Sequence, residues 1–142
     1  MAARVGVGVM DMLAHAHSCL QEAALAVRPA DRYAMAHLAA LRTAAAVLAA
    51  RAGIEQPGRR QSRNAWVLLA RVTPELEEWA AFFAAGAGKR AAAQAGISTA
   101  ITTREADDLL READTFLGVA TRLLGLPHHP PLPGVAAPLR AG

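Results

Sequence analysis

Arg32 and His37 stand with four residues between them in the stretch DRYAMAHLAALRTAAAVLAAR. Together they could act on a phosphodiester. A histidine titrates near neutral pH and can move a proton to or from a ribose hydroxyl or a leaving oxygen. An arginine offers a fork of donors to the phosphate and stabilises charge that builds during attack. RNA carries its own nucleophile, so such a pair needs no metal. On an ideal helix, however, a step of five residues turns side chains about 140° apart. The simpler reading places Arg32 in water near a helix start and His37 at the edge of a packed face, with no catalytic residue.

Other constellations in the chain carry weaker signals. Asp11, His15 and Cys19 recur every four residues and share one face of a helix, but a metal needs further ligands that no second segment supplies. AAGAGKRAAA fails as a phosphate loop: Phe83 stands at the first glycine position, Arg90 at the hydroxyl position, and a helical pattern precedes it. Arg122 precedes His128 and His129 at catalytic spacing, but those histidines sit in a proline-rich tail. Arg59, Arg60 and Arg63, with Arg51 nearby, converge on one polar loop and are the candidate nucleic-acid contacts. Trp66 and Tyr33 are the candidate platforms for base stacking. No cofactor or metal site is expected.

These residues need a frame, and composition says which kind. The 142 residues suit one domain; 54% are hydrophobic, many of them alanine, the best helix former. A net charge of +3 allows contact with nucleic acid without requiring it. Cys19 is the single cysteine, so no internal disulfide forms. No signal-peptide core or bilayer-length apolar run is evident, so a cytoplasmic protein without a membrane partner is expected.

Residues 1–8 read as a flexible N-terminus, 9–124 as a helical bundle and 125–142 as a disordered proline-rich tail. Helix 1 is expected from about Val9 to Val27, with Leu13, Ala16, Leu20, Ala24 and Val27 on its buried face. RPAD ends it, and Asp31 is expected to cap helix 2. Helix 2 runs to about Arg51 with Ala34, Leu38, Leu41, Ala45 and Leu48 inward, closed by Gly53. Helix 3 begins near Asn64 and bends at VTPELEEW, where Thr73 can cap a second segment with Pro74 at its first position. A short piece follows and ends at Gly96. In TTRE, Thr102 and Glu105 have capping-box spacing and open helix 4, with Ala106, Leu109, Ala113, Phe116, Ala120 and Leu123 inward. Its acidic side should face water, with Arg104 paired to Asp108 and Asp107 to Arg111.

The hairpin LAHAHSCLQEAALAVRPADRYAMAHLAALRTAAAVLAAR, together with TTREADDLLREADTFL, resembles the HEPN superfamily (higher-eukaryote and prokaryote nucleotide-binding domains), in a subfamily common in high-G+C bacteria. The resemblance implies an all-α, up-down bundle of four or five helices and a homodimer. It also implies, in many members, metal-independent RNA cleavage by an Arg and a His four to six residues apart. The expected function is a non-catalytic module for RNA, a nucleotide or a protein partner. The alternative is a ribonuclease using Arg32 and His37.

Overall fold

The computed structural model describes residues 6–53, 64–95 and 101–127. Among them the chain forms α1 (Val7–Leu25), α2 (Pro29–Ala52), α3 (Ala65–Val72), a 3₁₀ turn (Pro74–Leu76), α4 (Glu77–Ala85), α5 (Ala87–Gln94) and α6 (Thr103–Leu123), with no strand. This is the all-α bundle expected.

Helix starts and stops follow local chemistry. Thr102 accepts a bond from the Glu105 backbone N–H at 3.0 Å, and the Glu105 carboxylate accepts from the Thr102 backbone N–H at 3.0 Å, so the capping box is complete. Gly53 ends α2 in the left-handed region at φ 69°, where a side chain would be strained. Two expected caps differ. Proline's fixed φ suits the first helical position, so α2 starts at Pro29 with Arg28 at its N-cap; Asp31 lies inside the first turn. Thr73 stands at the bend, but its buried hydroxyl makes no bond; the 3₁₀ turn closes through Leu76 N–H to the Thr73 carbonyl at 2.9 Å.

α2 is the central element. It packs along α1 and α6 and also touches α3 and α5. A helix covered on several sides has to be apolar most of the way round, and all six residues from Thr43 to Leu48 are buried. The expected single stripe was therefore too narrow: Ala34 and Leu38 are only half-buried, while Ala36, Ala40, Ala44 and Val47 are wholly enclosed. The same coverage explains why α2 reaches the length and apolarity of a membrane span, contrary to the expectation that no segment does. Val27, expected on the buried face of the first helix, is 94% exposed because α1 has ended at Leu25.

Alanines at 16 and 23 on α1, at 36, 40 and 44 on α2, and at 106, 113 and 120 on α6 are fully buried and let the long helices approach closely. Larger side chains fill the other side. Trp66 of α3 stacks on Phe83 of α4 with centroids 5.1 Å apart, and Phe116 of α6 lies 5.1 Å from Phe83 and 5.4 Å from Trp79. This aromatic cluster anchors the bent α3–α4 arm to the long helices.

Candidate functional site

Arg32 and His37 both project from α2, and they engage different elements. Near the start of α2, Arg32 reaches back over the end of α1. Its Nε donates to the Ala23 carbonyl at 3.0 Å, and one terminal nitrogen donates to Ala26 at 2.8 Å and, more weakly, to Ala24 at 3.4 Å. The other terminal nitrogen donates to Asp107 of α6 at 2.5 Å. The last carbonyls of a helix lack intrahelical donors and carry partial negative charge. α1 has no basic residue in its own last turn, so Arg32 caps it from the next helix. Arg32 is thus not free in water, and Asp107 pairs with it rather than with Arg111, which turns to Asp108.

His37 lies one and a half turns further on and is 1% exposed. Its ring meets Trp66 and Phe83 edge-on, each at 6.1 Å and 88°. Nε2 is 3.1 Å from the Phe83 carbonyl. A carbonyl only accepts, so Nε2 carries the proton; Nδ1 is left buried without a partner. Burial holds the pKa of this imidazole down, from an ordinary 6.5 to about 4; the Phe83 bond opposes that and the Arg90 cation reinforces it. At neutral pH the ring is uncharged, and its proton is engaged by the backbone. His37 sits inside the packed core, not at its edge.

The remaining candidates separate. Asp11 and His15 are exposed, whereas Cys19 is buried and burial pushes its thiol pKa up, so the three do not form one ligand set. Among the described residues no group of three metal-capable side chains occurs. Trp66 and Tyr33, expected as stacking platforms, are 4% and 6% exposed because the helical arm folds over them. Phe82, at 48%, is the exposed aromatic instead. Arg51 pairs with Glu75 at 3.2 Å. Arg59, Arg60, Arg63, His128, His129 and the proline-rich tail from residue 128 onward lie outside the described residues.

A family model described as HEPN_SAV_6107-like HEPN matches residues 23–121. The chain belongs to the HEPN superfamily. No significant match came from curated proteins or from solved structures. The matched span runs from the last turn of α1 to the last turn of α6, so the HEPN unit includes Arg32, His37 and the aromatic cluster that covers the imidazole.

Sequence reasoning missed one polar feature of this HEPN bundle. Arg42 of α2 and Arg90 of α5 are both half-buried, and the Nε of each is closed to solvent without a hydrogen-bond partner. The usable signal was Arg42 itself: a charge set within LAALRTAAAVL, on the face of a helix that is otherwise almost entirely apolar.

Proposed function

We propose that this HEPN protein is a binding module without nuclease chemistry of its own, acting as a homodimer on RNA, a nucleotide or a protein partner. The observation that carries this reading is the enclosure of His37. A general acid or base must reach the proton that it moves and titrate near the working pH. His37 is covered by Trp66 and Phe83, donates its one N–H to a backbone carbonyl, and has a pKa of about 4. Arg32, the other half of the pair, spends its donors on α1 and Asp107. Homodimerisation is supported by the outer surface of α4 and α5, where Ala81, Phe82, Ala84, Ala85, Ala87 and Ala91 are exposed, an apolar run of small residues around one aromatic ring.

The test has two readouts. Single-stranded RNAs of varied sequence are incubated with the protein in EDTA, and no cleavage above a buffer control is expected. Cleavage that disappears in a folded His37→Ala variant would overturn the non-catalytic reading. Light scattering at micromolar concentration is expected to give a dimer mass that falls to monomer on Phe82→Glu substitution; a wild-type monomer would overturn the dimer. Salt-sensitive RNA retention that is lost when Arg59, Arg60 and Arg63 are changed together to glutamine would identify RNA as the partner.

A further inference from the structure

Between Phe83 and Ala93 the chain has no buried residue. Ala84, Ala85, Ala87, Gly88, Lys89 and Ala91 are exposed, and Gly86, Arg90 and Ala92 are half-buried. Two elements of very different attachment meet in this stretch. On the α4 side the chain is pinned: Phe83 is 1% exposed within the aromatic cluster, and its carbonyl accepts from His37 Nε2 and from the Gly86 backbone N–H, each at 3.1 Å. On the far side lies α5, eight residues packed mainly on α2. Helices this short do not hold together in water, so the order of α5 must come from what it touches.

That support is meagre. Among the described side chains of α5, Ala93 alone is buried, and it offers a single methyl group. The tie to α6 is the ion pair of Lys89 with Glu105, whose side chains are 53% and 33% exposed; such a pair contributes little and is screened by salt. Closing α5 also shuts the Arg90 Nε away from water with no hydrogen-bond partner among the described residues, which works against the closed state. Gly88 weakens the helix further. An added Cβ there would meet nothing within 4 Å, so packing gives no reason for a glycine that costs helix stability. Gly86, at the joint, is different: a Cβ there would lie 3.1 Å from the Tyr33 hydroxyl and 4.0 Å from Cδ2 of His37. The joint therefore rests directly on the hydroxyl of Tyr33, which is itself only 6% exposed.

We propose that α5 is a strap hinged at Gly86, with the Lys89–Glu105 pair as its clasp, which opens by local unfolding while the bundle stays folded and so controls access to Tyr33 and the face of α2 beneath it. His37 fixes where the hinge lies, because its bond to Phe83 holds the end of α4 in place. The strap is independent of the binding reading and of the dimer. Its test therefore uses the full chain carrying Phe82→Glu, where a charge interrupts the apolar α4–α5 surface and self-association does not contribute.

The first readout is native-state amide hydrogen exchange followed by NMR. The amides from Arg90 to Ala95 are bonded within α5 or at its ends, Arg90 to the Gly86 carbonyl and Ala95 to the Ala91 carbonyl at 3.0 Å each, so fast exchange there reports opening and not a missing bond. They are expected to exchange about a hundredfold or more faster than those of Ala81 to Phe83 in α4. Urea below the unfolding transition should barely change their rate, since opening exposes little surface. Gly88→Ala is expected to slow them roughly threefold or more. Lys89→Gln should speed them about two- to fivefold, and added salt should do the same only where Lys89 is present. Both side chains are exposed, so neither change disturbs the core. The second readout uses the single tyrosine of the chain: nitration of Tyr33 by tetranitromethane, followed by mass spectrometry. Gly88→Ala leaves every charge in place and should slow nitration by the same factor as exchange. Exchange of Arg90 to Ala95 no faster than that of Ala81 to Phe83, a urea dependence equal to that of global unfolding, or nitration that ignores Gly88→Ala would each overturn the strap.

Discussion

Replacing Arg32 with alanine removes the ion pair to Asp107 and the donors to three α1 carbonyls in one step, and the structure says how the loss divides. The bonds to Ala23 and Ala26, at 3.0 and 2.8 Å, are well made; the one to Ala24 is marginal at 3.4 Å. A charge-assisted bond that keeps some solvent contributes about 1 kcal/mol net, so the two good carbonyl bonds amount to about 2 kcal/mol. The pair to Asp107 has side chains 24% and 39% exposed, which places it at about 1 kcal/mol or less. Arg32→Ala should therefore cost about 2–3 kcal/mol, or roughly 10 °C in melting temperature for a domain of this size. Asp107→Ala should cost about 1 kcal/mol or less. The double-mutant cycle separates the terms: with Asp107 already removed, Arg32→Ala should still cost about 2 kcal/mol, because the α1 carbonyls lose their donors regardless. Arg32→Lys keeps the charge but offers one point of donors in place of a fork, so it should recover only the smaller part. Urea unfolding with constant m-values is the measurement. If the double variant is no less stable than Asp107→Ala alone, the carbonyl bonds contribute nothing and the assignment of Arg32 as a cap for α1 is wrong.

Stability should also fall in acid through His37. Its folded pKa of about 4 lies below the ordinary 6.5, so between these values the unfolded chain binds the extra proton. The contribution is whole above pH 6.5 and is lost as pH falls toward 4, with a ceiling of about 3 kcal/mol. His37→Gln can keep a donor to the Phe83 carbonyl without titrating, so urea unfolding from pH 7.5 to 4.5 should show a shallower acid slope in the variant; equal slopes would contradict this. Thr102→Ala should destabilise by about 1 kcal/mol through loss of the α6 cap, visible in the same unfolding assay. At Gly86 an added Cβ would lie 3.1 Å from the Tyr33 hydroxyl. Gly86→Ala should therefore be neutral or destabilising with Tyr33 present, yet stabilise by about 0.5–1 kcal/mol in a Tyr33→Phe background, where only the unfolded-chain entropy term remains; paired thermal melts give the difference.

What the residues disclosed in advance and what they hid differ in range along the chain. The Thr102–Glu105 box, the Gly53 stop, the proline bend near 74 and the apolar face of α6 are settled by neighbours within one or two turns, and all could be read from spacing. The state of Arg32 and His37 depends instead on partners at a distance. Asp107 is 75 residues from Arg32, and the carbonyl that holds His37 is 46 residues away and has no residue-type signature at all. Without the covering arm the same imidazole would stand open to solvent and free of its carbonyl partner. Trp66 and Phe83 fill the space around the imidazole, and the aromatic residues that make this possible look in sequence like any others on a buried stripe. Burial around the whole of α2 was hidden for a related reason. An alanine-rich helix has weak contrast between its faces, so periodicity points to one stripe even where several neighbours press on it. On such a helix the informative residues are the polar ones left among the alanines: Arg32 is claimed by α1 and Asp107, His37 by α4, and Arg42 by no acid among the described residues.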